Sequence, residues 1–138
     1  MVEVEILGDL TFSITDDQLC RAERCRVPEH GYFDSLLGPD RWTVAAAAAL
    51  SRRTFVEVWQ DERGLRQELA GVRPVGRLES FTACRCRGTT VMIELDSDCI
   101  GAHAAISTDI EAIALYHGDE CAADAPRRVT VNDRRSGR

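Results

Sequence analysis

Two pairs of cysteines are the first residues whose type and spacing could do chemistry. Cys84 and Cys86 flank a single residue, and Cys20 and Cys25 are separated by four. Two thiolates hold zinc when the backbone lets both reach one ion, and Cys-x2-Cys is the usual solution. Neither pair has that spacing, and a Cys-x-Cys on a strand turns both side chains to one face without an intervening turn. Arginines crowd both pairs: Arg21, Arg24 and Arg26 around Cys20 and Cys25, Arg85 and Arg87 around Cys84 and Cys86. Cations lower a thiol's pKa, so thiol redox chemistry is the alternative use. The simpler reading is reduced, idle thiols, as expected for six cysteines in a cytosolic chain.

Other chemistries are closed by residue type. His30, His103 and His117 stand apart from any nucleophile in the sequence, and no Gly-x-Ser-x-Gly occurs. All 17 basic residues are arginine, which reads as codon usage in a GC-rich genome. Without lysine there is no Schiff base, no P-loop lysine and no lysine general base. The 138 residues suit one domain, and 44% apolar with 29% charged content is that of a folded chain. A net charge of -6 argues against direct nucleic-acid binding and against an anionic membrane surface. The start, Met1 to Glu5, alternates apolar and acidic residues, unlike a signal peptide. The longest apolar run, Val44 to Leu50, is too short to span a bilayer. The expected location is the cytoplasm.

The elements that must carry these residues follow from periodicity. Val2, Val4 and Ile6 alternate with Glu3 and Glu5 as a half-buried strand, and Gly8-Asp9 turns it into a second, Leu10 to Ile14. From Thr15 to Asp40 periodicity is lost among Pro28, Gly31, Gly38 and Pro39, a loop holding at most one short helix. Five consecutive alanines make Trp42 to Ser51 helical. Phe55 to Trp59 and Leu65 to Leu69 form a hairpin about Asp61–Gly64, and Val72 to Leu78 extends the meander. Glu79 to Gly88 reads as a polar connection and Thr89 to Leu95 as a strand. Thr108 opens a capping box with Glu111, predicting a helix to about His117, and Arg128 to Asn132 makes the last strand. The sum is a two-layer α/β (α+β) sandwich: about seven strands, mostly antiparallel or mixed, with few helices on one face.

The order and wording of these pieces resemble one family. Val4 to Asp17 is similar to the strand pair leading to the Asp-x-Gly-x-Gly motif of the ATP-binding domain of DNA gyrase B and topoisomerase IV, the GHKL or Hsp90-like fold. Ala48-Ala49-Leu50-Ser51 followed by Val56-Glu57-Val58-Trp59 resembles that family's Asn-Ala-Leu-Ser helix end and next strand. Arg66 to Val75 resembles its following hairpin, Gly88-Thr89-Thr90-Val91 its Gly-Thr strand, and the stretches 109–115 and 129–137 its closing helix and strand. Only the later part of the family's domain is represented.

The resemblance implies as much by its gaps as by its matches. The opening helices, with the glutamate that activates water and the asparagine that holds magnesium, have no counterpart, and neither has the transducer domain with its lysine. Asp17-Gln18-Leu19-Cys20 replaces the glycines that let the backbone approach a nucleotide. The Gly-rich lid reads Gly38-Pro39-Asp40-Arg41-Trp42: Gly38 survives, Pro39 removes an amide donor and Asp40 repels phosphate. What remains is an adenine corner. Asp16 matches the aspartate that accepts from the adenine amino group, and Thr89 the threonine beside it; the bland alternative is that both cap strand ends.

The expectation is therefore a single, degenerate gyrase-B-like domain that catalyses nothing alone and acts through protein contact or regulation, with no required cofactor. Few helices would leave a sheet face uncovered, which predicts a homodimer or a protein partner on it. The alternatives are an ATP- or ADP-binding protein, including an ATPase completed by a partner, and a thiol or metal protein.

Overall fold

The structure is a computed structural model that describes residues 2–16, 32–37, 42–60, 62–83, 87–108 and 129–135. Strands β1 (Val2–Ile6) and β2 (Thr11–Asp16) form the opening hairpin, with Ile6 opposite Phe12 and Val2 opposite Asp16. A 3-10 turn covers Tyr32–Asp34, and helix α1 runs Trp42–Ala49. Strands β3 (Ser51–Gln60) and β4 (Arg63–Ala70) make the long central hairpin. Short strands β5 (Arg73–Pro74) and β6 (Glu79–Thr82) precede β7 (Arg87–Leu95). Helix α2 (Ser97–Ile100) and strand β8 (Val129–Asp133) complete the described chain.

All eight strands join one sheet in the order β5-β4-β3-β7-β2-β1-β8, with β6 also on β4. The pairings are antiparallel except that β8 runs parallel to β1. β2 and β3 are each antiparallel to β7, so they run parallel to one another and their connection carries α1 across the sheet. That side chains alternate in a strand then fixes two faces. Val56, Leu69, Val91 and Ile93 point to one of them and pack with Ala45 and Ala48 of α1 and with Leu36 and Leu37 beyond the 3-10 turn. The small alanine side chains let α1 lie close to this face.

The opposite face is laced with charge. Arg53 pairs with Glu68 at 2.6 Å, Arg66 with Glu57 at 3.4 Å, Arg134 with Glu5 at 3.2 Å, and Arg52 with Glu94. Phe55 and Met92 lie between these pairs on the same face.

Several boundaries differ from the sequence reading for local reasons. β2 extends to Asp16 because it stays in register with β7 through Thr89. Gly64 lies inside β4, and Glu62 at φ 68 takes the left-handed turn position instead. The stretch Val72–Leu78 is strand only at Arg73–Pro74, and Glu79–Thr82 is a strand where a polar connection was expected. β5 and β6 are two parts of one broken edge strand on β4. Pro74 has no N–H to give a ladder, which is tolerated only at an edge. The turn before β5 needs Gly71, whose φ of +60 an L side chain adopts only with strain. The four-residue α2, capped by Asp96 accepting from the Asp98 amide, has no counterpart in the periodicity. The predicted helix from Thr108 to His117 lies outside the described residues beyond Thr108 itself.

Candidate functional site

The sheet brings two of the three proposed nucleotide residues together. Asp16 ends β2 and Thr89 lies near the start of β7, and they are cross-strand partners in the β2–β7 ladder. Val58 of β3 flanks Thr89 on its other side, and Val2 of β1 flanks Asp16. By strand alternation this rung belongs to the face that packs α1, one rung beyond Ile14, Val91 and Val56. Thr89 is buried at 4% exposure and Asp16 half-buried. The result is a carboxylate and a hydroxyl side by side on an apolar floor, at the end of the sheet. Such a pair can accept a hydrogen bond from an amino group and exchange another through the hydroxyl. Gly38 lies outside the described residues, as do Cys20, Cys25, Cys84 and Cys86.

The backbone under this corner is held by close packing. Trp59, 5% exposed, sits opposite Gly88. A Cβ built on Gly88 would lie 2.4 Å from the Trp59 Cζ2 and 2.9 Å from the Asp16 carbonyl oxygen. Glycine at 88 is therefore required by the close approach of Trp59 and the Asp16 backbone. On the other face, the Thr15 and Thr90 hydroxyls meet at 2.9 Å, tying β2 to β7 one rung away.

Sequence reasoning missed a second group of residues. Phe33 and Asp34 both have left-handed backbones, at φ 51 and φ 63. For residues other than glycine this costs on the order of 1 kcal/mol or more each, and it persists only where neighbours impose it. Here Ser35, Leu36 and Leu37 are buried, and the Leu36 amide donates to the buried Gln67 Oε1 at 2.9 Å. The Leu37 amide donates to the Ser35 hydroxyl at 3.2 Å. The anchored turn holds Phe33 outward at 61% exposure, with the Arg73 guanidinium 5.2 Å from its ring centroid. Val75 (61%) and Leu78 (50%) lie in the loop that breaks the β5–β6 edge, directly after Arg73. These are the three most exposed large apolar side chains described. The only sequence hint was an aromatic within a stretch that otherwise lacked periodicity.

At the far edge, Arg135 joins three segments. It donates to both Asp133 oxygens, reaches the Ile106 carbonyl at 3.2 Å and lies 3.5 Å from Asp9. Hydrogen bonding from Arg135 holds the Asp133 carboxyl down at about 2. Among the described residues no group of three or more His, Cys, Asp or Glu is placed to hold a metal, and the single described free cysteine, Cys99, is exposed. No described helix is long and apolar enough to cross a membrane.

With this geometry in hand, comparison with known proteins gives a fold. No family model matches the chain, and no curated protein sequence matches it. Among solved structures, the 43K ATPase domain of Thermus thermophilus gyrase B, in complex with an aminocoumarin, is similar with a TM-score of 0.59 at 20% identity. The likeness covers 80% of this chain and 32% of that one, so the chain spans about a third of its neighbour's length. The class is thus a mixed α/β fold built on one mostly antiparallel sheet. More particularly, it has the fold of part of a gyrase B ATPase domain.

Proposed function

We propose that this gyrase-B-like fold acts through protein contact and turns over no nucleotide by itself. The observation that carries this reading is the exposed edge at Phe33, Val75 and Leu78, with its aromatic held outward in a strained backbone. Exposed apolar clusters of this kind mark interaction surfaces, and a pre-ordered aromatic beside an arginine has the composition of a binding hot spot. The sequence supports the loss of turnover, since Pro39, Asp40 and the Asp17–Cys20 stretch offer little to a triphosphate.

The test has two parts. A photo-crosslinking residue at position 75 should form a specific protein adduct in cells, and Phe33→Asn should remove it. Asparagine tolerates the left-handed backbone while deleting the ring. The purified chain should release no phosphate from ATP and magnesium above background. Turnover abolished by Asp16→Asn would overturn the reading.

A second reading is favoured by the pairing of Asp16 with Thr89. It takes the corner as a residual purine pocket that binds ATP or ADP, with any hydrolysis completed by a partner. Calorimetric titration with either nucleotide, with and without magnesium, tests it directly.

A further inference from the structure

The same edge that presents Phe33 also borders a cavity of complementary character. A space of about 570 Å³ lies on the charged face of the sheet, lined among others by Phe55, Met92, Glu57, Arg66, Arg77 and Glu79. The loop carrying Arg77 begins directly after Arg73–Pro74, so the protruding group and the cavity are neighbours on one molecule. The protruding group consists of an aromatic ring with one charge of each sign beside it, Asp34 and Arg73. The cavity offers an aromatic and a thioether, again with one unpaired charge of each sign, since Arg77 and Glu79 enter no ion pair among the described residues. Its aromatic already accepts a guanidinium: Arg53 lies 4.4 Å from the Phe55 ring centroid.

We propose that this edge is a self-association surface, in which Phe33 and Arg73 of one copy seat in the Phe55–Met92 cavity of a second. The inference rests on the contact reading above and names its partner as another copy of this chain. Arg73 then faces Glu79 and Asp34 faces Arg77. A protruding group and a cavity on different patches would by themselves give an open, head-to-tail contact. Because the two are adjacent, a two-fold axis between them lets each copy give and receive once, which closes the assembly as a dimer. Six apolar side chains, Phe33, Val75 and Leu78 from each copy, then leave water together. A contact carried by so few apolar side chains belongs at the small end of stable interfaces, about 1,200 Å² in total, so the dimer is sought at micromolar concentration and above.

The experiment is sedimentation velocity from micromolar to near-millimolar concentration. The wild-type chain should pass from monomer to dimer, and Phe33→Asn should weaken the dimer by about tenfold or more. Arg73→Glu alone, and Glu79→Arg alone, each place like charges opposite one another at both contacts, so each variant should stay monomeric. An equimolar mixture of the two variants restores opposite charges at both contacts and should dimerise to within about threefold of wild type. That recovery excludes misfolding as the cause of the single losses, and circular dichroism of each variant checks it independently. A wild-type chain that remains monomeric throughout overturns the proposal, as do single variants that dimerise normally or a mixture that stays monomeric. A monomer that still gives the Phe33-dependent adduct at position 75 with a different protein would sink self-association and leave the contact reading standing.

Discussion

The indole of Trp59 occupies the space that any side chain at Gly88 would need, with Cζ2 2.4 Å from a Cβ built there. Trp59 is buried near the end of the interior strand β3 and the Asp16 carbonyl oxygen lies 2.9 Å from the same position, so a Cβ there is crowded from both sides. Gly88→Ala should therefore destabilise the fold by roughly 1–3 kcal/mol, the usual cost of overpacking. Gly64→Ala provides the contrast. Its Cβ would meet the far end of the Phe81 ring at 2.3 Å, but Phe81 stands half-buried on edge strand β6 and can turn aside. A side-chain shift of that kind costs about 0.5–1.5 kcal/mol. Urea unfolding of the two variants ranks them, and an equal or inverted order would refute the packing argument.

Loss of the Gln67 side chain should release the strained turn. The Leu36 amide has its acceptor in Gln67 Oε1, and leaving a buried N–H without one costs about 1–3 kcal/mol. Gln67→Ala should show that loss in stability together with faster hydrogen exchange at the Leu36 amide. Removal of the Arg53–Glu68 pair by Glu68→Gln serves as the control, because an exposed ion pair contributes about 1 kcal/mol at most.

Acid should loosen the β8 edge within a defined window. The folded pKa of Asp133 is lowered to about 2 by its hydrogen bonds with Arg135, from an ordinary value near 3.8. A depressed carboxylate stabilises the fold above its unfolded pKa, and that contribution disappears as pH falls through the folded pKa. The thermal midpoint of the wild type should thus fall between about pH 4 and pH 2 by more than that of Asp133→Asn. A carboxyl resonance of Asp133 titrating near 4 would contradict the observed geometry.

If the corner beside Thr89 takes a purine, Asp16→Asn should weaken ADP and ATP binding by about tenfold or more, since it replaces a charged acceptor. Thr89→Val should weaken it too, and both variants should keep wild-type circular dichroism. Titration heats that neither substitution changes would place any nucleotide elsewhere.

The strands themselves were legible in the sequence. Alternation in β1, the β-branched run of β7 and the hairpin of β3 with β4 are local signals, because a strand's side chains sort by face with a period of two. The run of alanines likewise predicted a helix, and α1 forms there, over Trp42–Ala49. Broken local patterns were harder to place. β5 and β6 are too short for alternation to register, and they exist because β4 offers them an edge.

The sequence by itself determined the fold class, the charge and the residue types available for chemistry, since these depend on composition and on periods of a few residues. Only the tertiary structure set Asp16 against Thr89, seated Trp59 over Gly88 and gathered Phe33, Arg73 and Val75 at one edge. Those meetings join residues from separate strands and turns, and they are fixed by ladder register and by the buried anchors Leu36, Leu37 and Gln67. Register and anchoring are properties of the assembled sheet, and no local window of the chain contains them.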